Sequence, residues 1–349
     1  MSRNRKSLRL GGRSSLKRTE KERIRMIDLH CDTLWRLCRP DGLRGRRGGL
    51  AENPFGVDVR RLEKADSLVQ AFAVFFMTGM VPGPLREEWA YKTARRRIRA
   101  YHRWRIETGG RLEPIRSWQD VDFCERYGCV GSLLTLEDAV PFGQDLGRLK
   151  EFYDLGVRLV TLTWNHENSV GWPNSTNRTV MGRGLKPFGR EVVEEMNYLG
   201  ILVDVSHLSD GGFWDVVRLS KKPFIASHSN ARAVTSHPRN LTDRMIRAVA
   251  ESGGVIGLNF CPSFLSEKKI STVAGMLRHL HHIYQVGGED VLALGSDLDG
   301  ISGKLQLNSC DQIEYLARAL RRHGMSWRVL EKLWYQNARR VFREVLPER

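Results

Sequence analysis

Eight short apolar segments, separated by stretches with helical periodicity, constrain the fold of this 349-residue chain more than any other feature. We predict strands at residues 27–31, 69–77, 130–137, 158–164, 200–206, 223–227, 253–260 and 291–296. These segments are apolar almost throughout, which is typical of parallel strands that are buried on both faces of a sheet. We predict helices between them at 146–155, 189–199, 241–251 and 272–286, and after them at 312–323 and 326–345.

Eight strands that alternate with helices predict an α/β protein with a closed (β/α)8, TIM-like barrel. An open, doubly wound sheet is the alternative, but no glycine-rich phosphate-binding motif follows the first strand. We assign residues 26–349 to this one barrel domain. A long insertion at 36–68 separates the first two strands, and its Arg- and Gly-rich part, 42–49, is predicted to be a mobile loop near the barrel mouth.

Ionisable side chains stand where several of the predicted strands end. They are His30 and Asp32, Glu137, His207, His228, and Asp297. In a barrel the carboxyl ends of the strands meet at one mouth, where catalytic groups lie. Alternate residues of a strand share a face, so the first two side chains can reach the same ion. Imidazoles and carboxylates that converge in this way predict a metal site.

Sorted by chemistry, these residues form two ligand sets that share one bridge. The first ligand set is His30, Asp32 and Glu137, and the second ligand set is Glu137, His207 and His228. A carboxylate has two oxygens and can bridge two cations. Asp297 is left free to take a proton from an activated water, so the sequence predicts a two-metal hydrolase. Each residue alone is weak support, since a strand-end histidine is more often structural. By contrast, His279, His281 and His282 fall on a predicted helix and are expected at the surface.

The net charge of +16 invites a hypothesis of nucleic-acid binding, but the charge is concentrated in one segment. Residues 1–25 contain ten Lys or Arg and two Glu, which is half of the total, and they lack apolar periodicity. We predict that this segment is a disordered basic tail, dispensable or preceding a start at Met26. The basic stretch at 95–105 has the spacing of a solvated helix face, and no nucleic-acid-binding motif accompanies it.

Cysteine usage and hydropathy indicate the cellular location of the protein. The six cysteines are scattered without a Cys-x-x-Cys pair, which is typical of reduced thiols in a cytoplasmic protein. No apolar run approaches the roughly 18 residues of a membrane span. We therefore expect a cytoplasmic protein that binds neither membrane nor nucleic acid. The sequence does not decide whether the protein forms a homodimer.

Several motifs in a fixed order resemble the membrane dipeptidase (renal dipeptidase) family of zinc metallopeptidases, whose fold is an amidohydrolase-type barrel. They lie at residues 27–32, 135–138, 153–163, 187–189, 197–207, 227–230 and 295–300, so the resemblance spans nearly all of the chain beyond the tail. It implies two zinc ions held by the ligand sets above, and hydrolysis of dipeptides. Whether dipeptides with a C-terminal D-residue are also substrates is left open. It also implies proton transfer by Asp297 and recognition of the substrate carboxylate by Arg239. Without the resemblance to this family, Arg239 would be interpreted as a charged residue of a surface loop.

The chain departs from the mammalian members of that family at one substrate-binding position. Those members carry a histidine directly after Thr-Leu-Thr, where this chain has Trp164, and a histidine follows two residues later, at His166. We predict that His166 donates to the developing oxyanion. The mammalian signal peptide, lipid anchor and disulfides are also missing, so the chain resembles the soluble bacterial members.

Two other functions compete with a dipeptidase. An amidohydrolase-type lactonase or amidase would act on a small non-peptide substrate, but such barrels usually begin with His-x-His and use a bridging lysine. Asp32 and Glu137 stand in those places here. A protein that binds nucleic acid or an anionic surface through its charge is the third hypothesis, and its binding would weaken steeply with salt.

Overall fold

The structure is a computed structural model that describes residues 24–38 and 48–349. The predicted basic tail at 1–25 and the predicted mobile loop at 42–49 therefore lie almost entirely outside the described residues. None of the helices in the described ranges has the combination of length and apolar character that a membrane crossing requires.

Ten strands are present in the described part of the chain. They are β1 Met26–Asp28, β2 Ser67–Val74, β3 Leu112–Pro114, β4 Val130–Glu137, β5 Val157–Thr161, β6 Leu202–Asp204, β7 Ile256–Leu258, β8 Ile270–Ser271, β9 Leu292–Leu294 and β10 Lys304–Leu305. Seven of them form a continuous parallel sheet in the order β6–β5–β4–β2–β1–β9–β7. β3 pairs with the start of β4, and β8 pairs with β10 outside the barrel.

Residues 224–226, here called the bridging segment, close this sheet into a ring. The N–H of Ile225 donates to the carbonyl of Val203 (2.9 Å) on the β6 side, and the N–H of Ala226 donates to the carbonyl of Val255 (3.0 Å) on the β7 side. The segment makes only single-residue bridges to its two neighbours. The ring therefore has eight members, which confirms the predicted closed barrel. The observed strands are mostly shorter than predicted because hydrogen-bonded pairing ends before the apolar sequence does.

Fourteen α-helices occur in the described ranges. They are α1 Thr33–Cys38, α2 Val59–Lys64, α3 Gly83–Glu107, α4 Trp118–Tyr127, α5 Leu146–Asp154, α6 Arg178–Met181, α7 Pro187–Leu199, α8 Asp210–Leu219, α9 Asp243–Glu251, α10 Pro262–Leu265, α11 Val273–Gly287, α12 Glu314–Arg322, α13 Trp327–Glu331 and α14 Asn337–Val345. A turn of π-helix at Lys332–Gln336 joins α13 to α14, so the predicted last helix is interrupted. Helix ends follow local signals: Thr242 caps α9 by accepting from the N–H of Met245, and left-handed Gly200 ends α7.

The predicted basic helix face is confirmed in α3, where Ile98 and Tyr101 are buried and Arg96 and Arg99 are exposed. The prediction that His279 lies at the surface is wrong. α11 turns this residue towards the barrel, where its Nδ1 accepts from the N–H of Ala231 (3.1 Å) and its side chain is buried. Imidazole is small enough to occupy the apolar face of an amphipathic helix when its nitrogens find partners.

Candidate metal centre

The six residues predicted from strand ends meet at one buried site in the barrel mouth. They are His30 and Asp32 after β1, Glu137 at the end of β4, His207 after β6, His228 after the bridging segment, and Asp297 after β9; each is at most 8% exposed. His207 and Asp297 have positive φ values, 66° and 59°, in the left-handed region that non-glycine residues rarely adopt. Both side chains line the mouth.

Glu137 lies between two groups of nitrogen ligands, with one carboxylate oxygen towards each. Its Oε2 is 3.4 Å from Nε2 of His30, and its Oε1 is 3.2 Å from Nε2 of His207 and 3.6 Å from Nε2 of His228. Nε2 of His30 is also 3.7 Å from Oδ2 of Asp32. Glu137, the predicted bridge, is thus at the centre of the cluster, with Oε2 towards His30 and Oε1 towards His207 and His228.

The spacing within the second ligand set fits one tetrahedral ion. Zinc–ligand bonds of 2.0–2.1 Å in a tetrahedron place neighbouring ligand atoms about 3.3 Å apart. The Nε2 atoms of His207 and His228 are 3.1 Å apart, and their distances to Oε1 of Glu137 are 3.2 and 3.6 Å. In the first ligand set, Nε2 of His30 lies 3.4 Å from Oε2 of Glu137 and 3.7 Å from Oδ2 of Asp32. Two groups with donor atoms within 4.8 Å of one another cut across the predicted sets: His30 with Glu137 and His228, and His30 with Asp32 and Asp297.

The electrostatics of the cluster also favour a bound cation. Burial raises the pKa of Glu137 to about 7 and that of Asp297 to about 7, and the nearby carboxylate of Asp32 adds to both increases. Nε2 of His30 and Oδ1 of Asp32 are buried and have no hydrogen-bond partner among the described residues. Buried donors and acceptors without partners are unfavourable, and a cation would satisfy them. The residues present therefore fit a metal centre.

A hydrogen-bonded chain behind His228 fixes which of its nitrogens faces the site. The hydroxyl of Ser227 is 2.6 Å from Oδ2 of Asp204 and 2.7 Å from Nδ1 of His228. A carboxylate accepts, so Ser227 donates to Asp204, and Nδ1–H of His228 donates to Ser227. The lone pair of His228 is then on Nε2, which points to Glu137. Such partners behind a ligand set its tautomer and orientation.

His207 is oriented in the same way by a loop residue, because Nδ1 of His207 lies 3.1 Å from Oδ1 of Asn165. An amide oxygen accepts, so Nε2 of His207 carries the lone pair. On the opposite side, Asn259 donates to Oδ2 of Asp297 (2.9 Å). Sequence reasoning did not assign roles to Ser227, Asp204, Asn165 or Asn259. Ser227 and Asp204 lie inside motifs quoted above, whereas no sequence signal marked Asn165.

Arg239 is buried beside this centre, which excludes its interpretation as a surface loop charge. Its Nη2 donates to the carbonyl of His228 (3.1 Å), and its guanidinium lies 5.2 Å from the ring of Phe264. Its Nε has no hydrogen-bond partner in the described part of the chain. Burial lowers the pKa of Arg239, and the charges of Asp297 and Glu137 oppose that change. A cation thus stands close to the metal ligands with donor capacity unused.

The structure does not place His166 at the centre. Its Nε2 lies against Gly79, 2.6 Å from where a Cβ on that glycine would be, and burial lowers its pKa. The half-buried Trp164 lines the mouth instead, with its ring centroid 6.3 Å from that of His207. The role predicted for His166 stays a prediction.

A cavity of about 440 Å³ opens above the cluster. Its lining includes metal-ligand candidates at the floor and apolar side chains on its walls: Asp32, Trp35, Phe75, Met77, Glu137, Trp164, His207, Cys261, Pro262, Ser263, Phe264, Lys269, Asp297, Gly300, Ile301, Ser302 and Gly303. A Cβ at Gly300 would lie 2.0 Å from Oδ2 of Asp32 and 2.6 Å from Oδ1 of Asp297, so any larger residue there would displace side chains of the centre. The site is therefore a concave pocket with two candidate ion positions at its base.

Comparison with known proteins places this geometry in context. The family model described as membrane dipeptidase, peptidase family M19, matches residues 17–347. The dipeptidase tcpJ of Claviceps purpurea is 34% identical over 238 residues, which is 67% of this chain and 56% of that protein.

Two solved structures have a similar fold over almost their whole length. The metallopeptidase of family M19 named dipeptidase AC superposes with a TM-score of 0.83 at 31% identity, covering 93% of this chain and 99% of that one. A metallopeptidase from Rhodobacter sphaeroides, liganded with a phosphinate mimic of the dipeptide L-Ala-D-Ala, superposes with a TM-score of 0.83 at 30% identity. The match covers 93% of this chain and 100% of that one.

Proposed function

The chain belongs to the membrane dipeptidase family and is a metal-dependent dipeptidase, and from that premise we propose that it uses two zinc ions to hydrolyse free dipeptides. The observation that carries the proposal is the position of Glu137, whose two oxygens face separate ligand groups at 3.2–3.6 Å. His30, Asp32 and Glu137 would hold one ion, and Glu137, His207 and His228 the other. Bound there, zinc would polarise the scissile carbonyl and lower the pKa of water.

Asp297 is the residue we propose to move the proton. The amide of Asn259 donates to Oδ2 of Asp297, this carboxylate lies within 4.8 Å of ligand atoms of His30 and Asp32, and burial raises its pKa to about 7. A carboxyl with a pKa near neutrality can accept a proton from the attacking water and return it to the leaving amine. We retain His166 as the proposed donor to the oxyanion, which would require its imidazole to turn from Gly79 towards the cavity.

We propose that Arg239 binds the C-terminal carboxylate of the substrate. Its fork suits a carboxylate, and the carbonyl of His228 and the hydroxyl of Ser229 already orient it. Arg239→Ala should lower kcat/KM for dipeptides by about 30- to 1000-fold without loss of metal. Dipeptide amides should be poor substrates that lose little further, and Arg239→Lys should recover part of the activity. Equal losses on acids and amides would show that Arg239 is structural.

Elemental analysis and a substrate panel test the proposal as a whole. Protein purified without chelator should contain about two zinc ions per chain, and it should cleave dipeptides with L- and with D-residues at the second position to measurable, unequal extents. Protein without bound transition metal, or activity indifferent to chelator, would refute the zinc proposal. Activity on lactones but not on dipeptides would favour a different substrate class.

We also propose a cytoplasmic location and no binding of nucleic acid. No disulfide joins cysteines within the described ranges, which is consistent with reduced thiols. Several basic side chains of α3 pair with acidic neighbours, as in Lys92 with Glu88 (3.2 Å) and Arg95 with Glu151 (2.9 Å). This pairing reduces the field that such a face offers to phosphates.

A further inference from the structure

The two sides of the mouth cavity differ in chemistry. Around the ring the order of strands is β1, β2, β4, β5, β6, the bridging segment, β7 and β9. Arg239 lies in the connection between the bridging segment and β7, which are the sixth and seventh members. The second and third members, β2 and β4, are therefore across the mouth from it. A ligand held by Arg239 that reaches over the metal ligands must point towards that far side.

Three aromatic side chains, here called the aromatic wall, stand on that far side. They are Trp35 in α1, Phe75 just beyond β2, and Trp164 just beyond β5. The ring of Phe75 contacts both others, with centroid distances of 5.7 Å to Trp35 and 4.8 Å to Trp164. Met77, beside them, lines the cavity and is 46% exposed. Phe75 is itself buried, at 6% exposed, so the half-buried Trp35 and Trp164 and the exposed Met77 supply the accessible apolar surface at the cavity. Apolar surface grouped at a pocket indicates a binding surface.

Resting on the proposed function, we propose that the aromatic wall binds the side chain of the N-terminal residue of the dipeptide and selects for large apolar or aromatic residues there. With the carboxylate at Arg239 and the peptide carbonyl above the metal ligands, the N-terminal side chain is directed to the wall. Burial of that side chain against three rings would then contribute to binding, mainly in proportion to its apolar area.

Among the described residues, the cavity lining beside the aromatic wall offers no charged side chain other than the carboxylates of the centre. The cationic residue of the lining, Lys269, lies in the loop after α10, on the same side as Phe264 and Arg239. The carboxylates of the lining, Asp32, Glu137 and Asp297, belong to the centre itself. An N-terminal Glu or Lys would therefore lose hydration at the wall without gaining an ion pair.

A paired substrate panel tests this inference on the full-length, zinc-loaded enzyme. One series varies the first residue (Phe-Gly, Leu-Gly, Ala-Gly, Glu-Gly and Lys-Gly), and a second varies the other residue (Gly-Phe, Gly-Leu, Gly-Ala). We expect kcat/KM for Phe-Gly to exceed that for Ala-Gly by about 10- to 100-fold, with Glu-Gly and Lys-Gly below Ala-Gly. The second series should span less than a tenfold range.

Variants assign the selectivity to the wall. Trp164→Ala should reduce the ratio of Phe-Gly to Ala-Gly by about tenfold, whereas Trp164→Phe, which keeps an aromatic ring, should retain most of it. Trp327→Ala is the matched control, since Trp327 is 42% exposed on α13 and is absent from the cavity lining. It should leave the ratio unchanged.

The outcomes separate the two proposals. If no dipeptide is cleaved, the proposed function fails, and this inference fails with it. If dipeptides are cleaved but the first series is flat, or selectivity appears only in the second series, the function stands and the assignment of the wall is overturned. The wild-type panel alone can support or overturn the inference, so the test does not depend on whether the variants fold.

Discussion

The two ligand sets share Glu137 but differ in what holds their remaining side chains. In the second ligand set, Nδ1 of His207 and of His228 each has a hydrogen-bond partner, Asn165 and Ser227. In the first ligand set, neither ring nitrogen of His30 has one within the described ranges, and neither does Oδ1 of Asp32. The second proposed ion position is thus organised by the protein in advance, while the first would depend more on its ion for order.

The first ligand set is instead held through its backbone. The carboxylate of Asp28 accepts from the N–H and hydroxyl of Ser296 (2.8 and 2.6 Å), and the N–H of Asp297 donates to the carbonyl of His30 (3.1 Å). These bonds join β1 to β9, whereas the imidazole of His30 is positioned by packing alone, with its ring centroid 3.9 Å from that of His228. We therefore expect the two ions to differ in affinity, with the tighter ion in the second ligand set.

The largest effect should come from removing the shared ligand. Glu137→Gln replaces one of the two oxygens by an amide nitrogen, which cannot ligate a cation, and it removes the negative charge that both ions would share. Both ions should be lost or weakened together, and kcat/KM should fall by about 1000-fold or more. Elemental analysis beside activity measurement checks this. If the variant kept one ion at full affinity, Glu137 would belong to one set only.

Graded removal of metal should show the asymmetry directly. When the zinc-loaded protein is titrated with a chelator, we expect two separate steps, with the ion of the first ligand set leaving first. Most of the activity should disappear in that first step, because both ions contribute to the site. Metal content and activity should be followed in the same samples, and a single step that removes both ions would contradict the comparison.

A smaller and selective effect is expected from Ser227→Ala. This change breaks the link between Asp204 and His228 and should weaken zinc at the second ligand set by about 10- to 100-fold. The two steps of the chelator titration should then merge or exchange order. Ser229→Ala is the neighbouring control, and the melting temperature of the metal-free protein should change little more in Ser227→Ala than in this control. Unchanged zinc affinity would show that Ser227 does not orient His228.

The smallest effect should follow from Asn165→Ala. Asn165 lies on an exposed loop, so water can replace its amide oxygen at Nδ1 of His207. We expect zinc affinity at the second ligand set to fall by less than about tenfold. Asn174→Ala serves as a control, because Asn174 bonds the carbonyl of His207 rather than its ring. A loss as large as that of Ser227→Ala would mean that the loop, and not the barrel, organises this set.

The sequence predicted which side chains meet at the centre but not the residues that support them, for a physical reason. A strand end determines where His30, Glu137 or His228 must lie, because parallel strands bring their carboxyl ends together. The partner of Nδ1 depends on contacts across strands and on loop conformation. Ser227 could have been noticed as the neighbour of His228, but the position of Asn165 follows from a turn that no local pattern specifies.

The same limit explains the other differences. His279 was expected at the surface because it falls on a predicted helix, yet its partners, Ala231 in a loop and Leu265 in α10, come from other segments that pack against α11. The aromatic wall likewise gathers residues from three separate connections. The basic tail and the loop at 42–49 remain predictions.

The left-handed backbone at His207 and Asp297 has a consequence for how this protein can change over generations. Such conformations destabilise a non-glycine residue by about 1 kcal/mol or more, and they persist only where the surrounding structure imposes them. A lineage selected for thermal tolerance alone would gain by replacing either residue with glycine, and would lose catalysis in doing so. Libraries screened for heat resistance without an activity filter should therefore accumulate inactive sequences at these two positions.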